Sequence, residues 1–178
     1  MDFKTFDKCM ILIRAWRSRT DQNNNEWPDS RDPSLRELLT EFSVVPKDLE
    51  KSMVALAAWR EAGEDIYQKM STITHVIRNR QKQGLFRTHL VSSGLDQFPT
   101  MTGDGSSGYP TETENFKKIL QNLDIILEDK AVDLTQNAIY FGVVGDGMPD
   151  WFRGIVESTN YERTVQAANL TFYRERKK

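Results

Sequence analysis

The sequence is short of the residues that lock or anchor a fold from outside its core. Cys9 is the one cysteine in 178 residues, so no intrachain disulfide can form and the redox compartment cannot be inferred from it. The two histidines, His75 and His89, stand apart, and with a single Cys they argue against a structural zinc site. Long apolar runs are missing too. Cys9–Ile13 is too short and too closely flanked by charge for the core of a signal peptide, and no segment approaches the roughly 20 residues a membrane-spanning helix needs. The expectation is a soluble chain without stable membrane insertion, made without a Sec signal or trimmed of one. A positive excess is also absent. The net charge of −2 argues against nucleic acid as the partner and leaves only local basic patches. The glycine-rich stretch 102–110 lacks the Lys and the spacing of a phosphate-binding loop. Asp104 and Asp146, each between glycines, supply too few oxygens for calcium. No cofactor and no metal are expected.

What is present suffices for one domain with a real core, spanning 1–178. Apolar residues make up 38% and aromatic residues 10%, a globular composition, and no internal repeat is found. Asp2–Arg19 reads as a helix with Phe6, Cys9, Ile13 and Trp16 inward. Thr20–Ser30 reads as a polar loop containing Asn23–Asn25. Asp32 and Pro33 open a second helix with Leu35, Leu38, Leu39 and Phe42 on one side. From Pro46 the apolar positions widen until little of the helix is polar, which predicts a buried central helix ending at Gly63. The next helix sets Ile66, Met70, Ile73 and Ile77 on one face and Arg78, Arg80 and Lys82 on the polar side, with Gly84 as its stop. Thr111 and Glu114 read as a capping box for an amphipathic helix carrying Phe116, Ile119, Leu120, Leu123 and Leu127. The rhythm then changes. Residues 137–144 and 168–173 alternate as half-buried strands around a short helix at Asp150–Ser158. Helices first and a two-stranded element late give an α+β fold, mainly α.

Glu61 is the residue with chemistry in it. It is a carboxylate at the C-terminal end of an apolar helix, where orphan carbonyls disfavour negative charge. Trp59, Tyr67 and the core face of the helix would desolvate it further. Both effects favour the protonated form, and a carboxylic acid kept protonated near neutral pH is what breaking a glycosidic bond requires. The competing reading is a solvated charge at a helix end.

Several segments bear a resemblance. Glu61-Ala62, Tyr67 and Val76-Ile77-Arg78-Asn79-Arg80 resemble the signature of the SleB-type cell wall hydrolases, the family of the spore cortex-lytic enzymes. Gln97-Phe98 is similar to that family's Gln-Phe-Ser. Residues 133–141 are similar to its Asp-Pro-Thr-Gly-Gly-Ala-Leu-Tyr-Phe, and Thr171-Phe172-Tyr173 to its terminal His-Xaa-Phe-Tyr. The pieces keep the family's order over Met53–Tyr173, with no counterpart in residues 1–45. The chain departs from the pattern where the Arg of the acidic motif is missing, where Leu134 replaces a Pro, and where Gln136-Asn137 replace two glycines.

The resemblance implies a lysozyme-like core at 46–178, with 1–45 a helical N-terminal extension packed on it. It implies a lytic transglycosylase that cleaves peptidoglycan between N-acetylmuramic acid and N-acetylglucosamine. Glu61 aligns with the family's catalytic acid; Gln97, Tyr140 and Tyr173 are candidates for a sugar-binding wall, and Glu64 and Tyr67 are counted with them as substrate-binding, Glu64 otherwise being a neighbour that orients the acid or is merely solvated. For Tyr140 and Tyr173, packing residues on strands are the alternative. Asn79 is expected to hold a helix end, and His75 and His89 to be structural. The 102–108 loop either rims the cleft or is slack linker. Two other classes stay open: a non-catalytic lysozyme-like glycan-binding or interaction module, and a regulatory or nucleic-acid-associated helical domain using Arg78, Arg80, Lys82 and Arg87.

Overall fold

The computed structural model describes residues 1–22, 26–88, 90–102 and 108–177. Its first helix, α1 (Phe3–Thr20), starts where the Asp2 side chain accepts the Thr5 amide and stops at Asp21 in the left-handed region. Phe6, Cys9, Ile13 and Trp16 are buried, as the spacing requires. A single 3-10 turn (Pro33–Leu35), capped by Asp32, runs into the short α2 (Arg36–Glu41). Pro46 opens α3 (Pro46–Ala62), where its missing N–H is not needed. Residues on every side of α3 are buried, because α1, α4 and α6 surround it. Gly63, at φ +66°, ends it with an N–H on the Arg60 carbonyl.

α4 (Tyr67–Lys82) follows after a tight turn and packs along α3. Met70, Ile73 and Ile77 face inward, but so does Arg80, which the pattern assigned to the polar side. The reason lies in the spacing itself. Positions 70, 73, 77 and 80 form one stripe, and the arginine completes it. A second 3-10 segment (Val91–Gln97) leads into one helical turn, α5 (Pro99–Thr102). α6 (Glu114–Leu127) is capped by Thr113, whose hydroxyl accepts the Phe116 amide, so the expected cap at Thr111 falls two residues early.

The β element has three strands rather than two. β1 (Tyr140–Gly142), β2 (Tyr161–Ala167) and β3 (Leu170–Glu175) form an antiparallel sheet in the order β1-β3-β2. β1 pairs Tyr140 with Tyr173 and Gly142 with Thr171. β2 and β3 make a hairpin, irregular between Arg163 and Gln166, that turns at Ala168-Asn169. β2 escapes detection in the sequence because it is an edge strand carrying Glu162, Arg163 and Gln166, with little of it buried. α7 (Asp150–Glu157) covers the sheet through Phe152, whose ring lies against Gly142; an added Cβ there would come within 2.6 Å of it. The outcome is an α+β architecture, mainly helical. Among the described residues no helix is long and apolar enough to cross a membrane.

Candidate functional site

Glu61 sits in the last turn of α3, and the groove beside it has two lobes. The first, about 440 Å³, is lined by Arg80, Leu85, Gln97, Phe98 and Tyr140. The second, about 400 Å³, lies under the 145–149 turn and α7 and is lined by Val143, Met148, Phe152 and Leu170. Glu61, Phe141 and Trp151 border both, so the carboxylate stands where the lobes meet. β1 supplies one wall and the indole of Trp151, 57% exposed, forms the rim.

The carboxylate is held from one side. Thr100 of α5 donates its backbone N–H to Glu61 Oε1 at 3.0 Å and its hydroxyl to the same oxygen. With Oε1 accepting two donors, Oε2 is the oxygen left to carry a proton. Burial pushes the Glu61 carboxyl above the ordinary range; the Thr100 bonds and the charge of Arg80 pull the other way without cancelling it. Arg80 is buried between α4 and β1. Its Nε donates to the Ile139 carbonyl at 2.7 Å, and its guanidinium lies 4.8 Å from the Phe98 ring centre and 5.8 Å from that of Tyr140. Burial lowers its pKa, although Tyr140 and Glu61 favour the charge. Tyr140, edge-on to Tyr161 at 5.3 Å, has its phenol pushed up by burial.

Glu61 is the sole carboxylate among the described residues lining the two lobes. Asp146, in the turn at the rim, is exposed to solvent. Among the described residues no three His, Cys, Asp or Glu side chains gather as a metal site. No protein-family model, curated protein or solved structure matches this chain. Its chemistry therefore has to be argued from its own geometry.

Of the residues singled out in the sequence, Glu61, Gln97 and Tyr140 come together. Gln97 turns its amide to the Leu85 carbonyl at 2.6 Å. Glu64, Tyr67 and Tyr173 line neither lobe. Glu64 is exposed and lies 3.5 Å from the buried Lys69 ammonium. Tyr67 faces α6, where its hydroxyl accepts from Asn122 at 3.0 Å. Tyr173 is buried against Phe152, ring centres 5.7 Å apart, because its strand is the middle one of the sheet and α7 covers it. Neither Trp59 nor Tyr67 borders the groove; Pro99, Phe141 and Trp151 line it beside Glu61. Arg80, Thr100 and Trp151 are the additions. Arg80 was legible as the fourth member of an apolar stripe, whereas Thr100 reaches Glu61 only through tertiary packing.

Asn79 holds the chain before β1 in place. Its amide donates to Asp133 Oδ2 (3.0 Å), Thr135 Oγ1 (3.2 Å) and the Ala138 carbonyl (3.1 Å). Asp133 in turn accepts the Thr135 and Asn137 amides, each at 2.8 Å. His75 lies buried 3.7 Å from the same carboxylate, its pKa lowered by burial. Gln136 and Asn137 have φ of +55° and +65°, so the two positions that break the Gly-Gly pattern keep a backbone glycine would favour.

The basic run is not a free patch. Arg78 and Lys82 both pair with Asp129, at 2.9 and 3.2 Å, Arg87 lies 3.6 Å from Asp96, and Arg80 points inward. His89, Asn23–Asn25 and the 103–107 part of the glycine loop, with Asp104, lie outside the described residues. A larger cavity of about 490 Å³ sits at the opposite end of α3. Its half-buried acid, Glu50, accepts from the amide and hydroxyl of Ser92, and its lysines pair with Asp124.

Proposed function

We propose that this protein cleaves the glycan strand of peptidoglycan as a lytic transglycosylase on a lysozyme-like scaffold, with Glu61 as the one acid and base. The observation that carries the reading is a desolvated carboxyl, anchored through one oxygen, at the junction of two groove lobes that hold no second carboxylate among the described residues. Glycosidases that use water ordinarily need a pair of carboxylates flanking the bond. A single acid suffices when the attacking group belongs to the substrate.

Glu61, protonated on Oε2, gives its proton to the glycosidic oxygen as the bond to the muramyl C1 breaks. The carboxylate so formed takes the proton of the muramyl 6-hydroxyl, whose oxygen closes on C1. An anhydro ring forms, no water is consumed, and Glu61 ends protonated as it began. Thr100 steadies the carboxylate between the two transfers, since its donors stabilise the charged form. Trp151 and Phe141 offer ring faces to a pyranose, and Gln97 lines the same wall.

The resemblance of Glu61, Asn79-Arg80, Gln97-Phe98 and the 133–141 segment to the SleB-type pattern supports the same reading. So do the positive φ values at Gln136 and Asn137. Clearing of purified peptidoglycan in a zymogram tests it: the protein clears, and Glu61→Gln reduces clearing by at least a thousandfold, as loss of the only acid should. Clearing retained by Glu61→Gln would remove Glu61 from the reaction. Absence of clearing by the wild-type protein, with glycan still bound, would favour a non-catalytic binding module.

A further inference from the structure

The turn that holds Glu61 is itself held from behind. α5 presents Thr100 to the carboxylate, and the two carbonyls on its far side are both engaged. Arg60 Nη1 donates to the Thr100 carbonyl at 3.3 Å. The indole Nε1 of Trp27 donates to the Met101 carbonyl at 2.8 Å. Trp27 comes from the connection between α1 and the Pro33–Leu35 turn, a region that the sequence resemblance leaves without counterpart.

Trp27 is in turn clamped. The Arg17 guanidinium, buried at the end of α1, stacks 4.4 Å from the Trp27 ring centre while its Nε and Nη2 donate to the neighbouring Glu26 carbonyl at 2.9 and 2.7 Å. The Arg60 guanidinium also lies 5.6 Å from the Trp27 ring centre, and 5.3 Å from that of Tyr109. A cation–aromatic ladder thus connects α1 to the residue preceding Glu61. The indole N–H reaches the α5 backbone from residues 1–45, one residue past Thr100.

We infer that Trp27 is a positioning residue: its N–H fixes the Pro99–Thr102 turn, and through Thr100 it fixes the orientation of the Glu61 carboxylate. The N-terminal region is then part of the site's architecture and not an appendage to it. The charged and titratable groups facing the carboxylate are Arg80 from α4 and Tyr140 from β1; Trp27 adds no charge to them and acts through geometry alone. Its consequence for catalysis rests on the function proposed above, but the positioning does not.

Trp27→Phe keeps a ring beside Arg17 and Arg60 and removes the N–H. Replacing Trp27 with benzothienylalanine keeps the bicyclic ring as well and serves if the Phe variant folds poorly. The first readout is amide hydrogen exchange of the full chain. The Thr100 amide, bonded to Glu61, is expected to exchange about tenfold faster in either variant, the cost of about one hydrogen bond. Amides in the middle of α4, such as Ile73, should keep their wild-type rates. The second readout is peptidoglycan cleavage, where kcat falls about tenfold with KM unchanged. An unchanged Thr100 exchange rate overturns the inference, as does an acceleration spread equally over α4 and α5. If Glu61→Gln still clears peptidoglycan, the functional reading fails while the exchange result continues to decide the role of Trp27.

Discussion

At the scale of single residues, the site depends on one oxygen atom accepting twice. Thr100→Val removes the hydroxyl donor to Glu61 Oε1 at nearly constant volume. That bond favours the charged carboxylate, so its loss raises the Glu61 pKa further and keeps the acid protonated to higher pH. The alkaline limb of the cleavage profile should move up, with the rate at the optimum about tenfold lower. Initial rates across pH on soluble glycan strands check both. The same carboxyl affects stability. A carboxyl whose pKa is raised on folding holds its proton more tightly in the native state; that advantage is full in acid and is lost as pH rises through the raised value. Glu61→Gln, neutral throughout, should therefore be more stable than wild type near pH 7 and no more stable at pH 3, as urea midpoints at the two values would report. A third residue is strained for reasons of backbone alone. Gln136 holds φ +55° with only its main chain engaged by Arg174, so Gln136→Gly should stabilise the fold by roughly 0.5 to 1 kcal/mol, read from thermal unfolding.

At the scale of elements, the groove is set by how β1 is fastened to α4 and α7. Asn79 gives its amide to three acceptors in the chain before β1, and Asn79→Ala leaves Asp133 with fewer donors in a half-buried place. A loss of about 2 to 3 kcal/mol is expected in denaturant unfolding. Gly142→Ala would drive a methyl group into the Phe152 ring, costing about 1 to 3 kcal/mol and shifting α7 over the second lobe. These elements were unevenly legible. α1, α3 and α6 followed from apolar spacing, and α3 was recognisable as central because its polar side is so narrow. β2 was not, since an edge strand with charged residues on both faces has no clean alternation to read. Glu61 could be named from local pattern because it sits at the end of a helix that pattern defines, whereas Gln97 and Tyr140 were named through the resemblance. Thr100 and Trp27 could not, because their partners lie 39 and 74 residues away. Tyr173 misled for a related reason: a strand's own sequence does not say which helix will cover it.

At the scale of the whole molecule, the distribution of charge bears on the kind of partner. Arg78, Lys82 and Arg87 face acidic neighbours and Arg80 is buried, so no basic face is left from that run for a polyanion. DNA binding, titrated at low and moderate salt, should be absent or no stronger than expected of a chain with net charge −2. The groove, in contrast, joins two lobes across Glu61, the only acid among the described residues that line it, with Arg80 and Gln97 in the first lobe, and it is there that the proposed glycan cleavage would take place. What leaves that groove decides its chemistry. Mass spectrometry of the soluble products from purified peptidoglycan should find muramyl ends lighter by one water, the anhydro form, with the wild-type protein and none with Glu61→Gln. Ordinary reducing ends from the wild-type protein, or anhydro ends from the Gln variant, would contradict it.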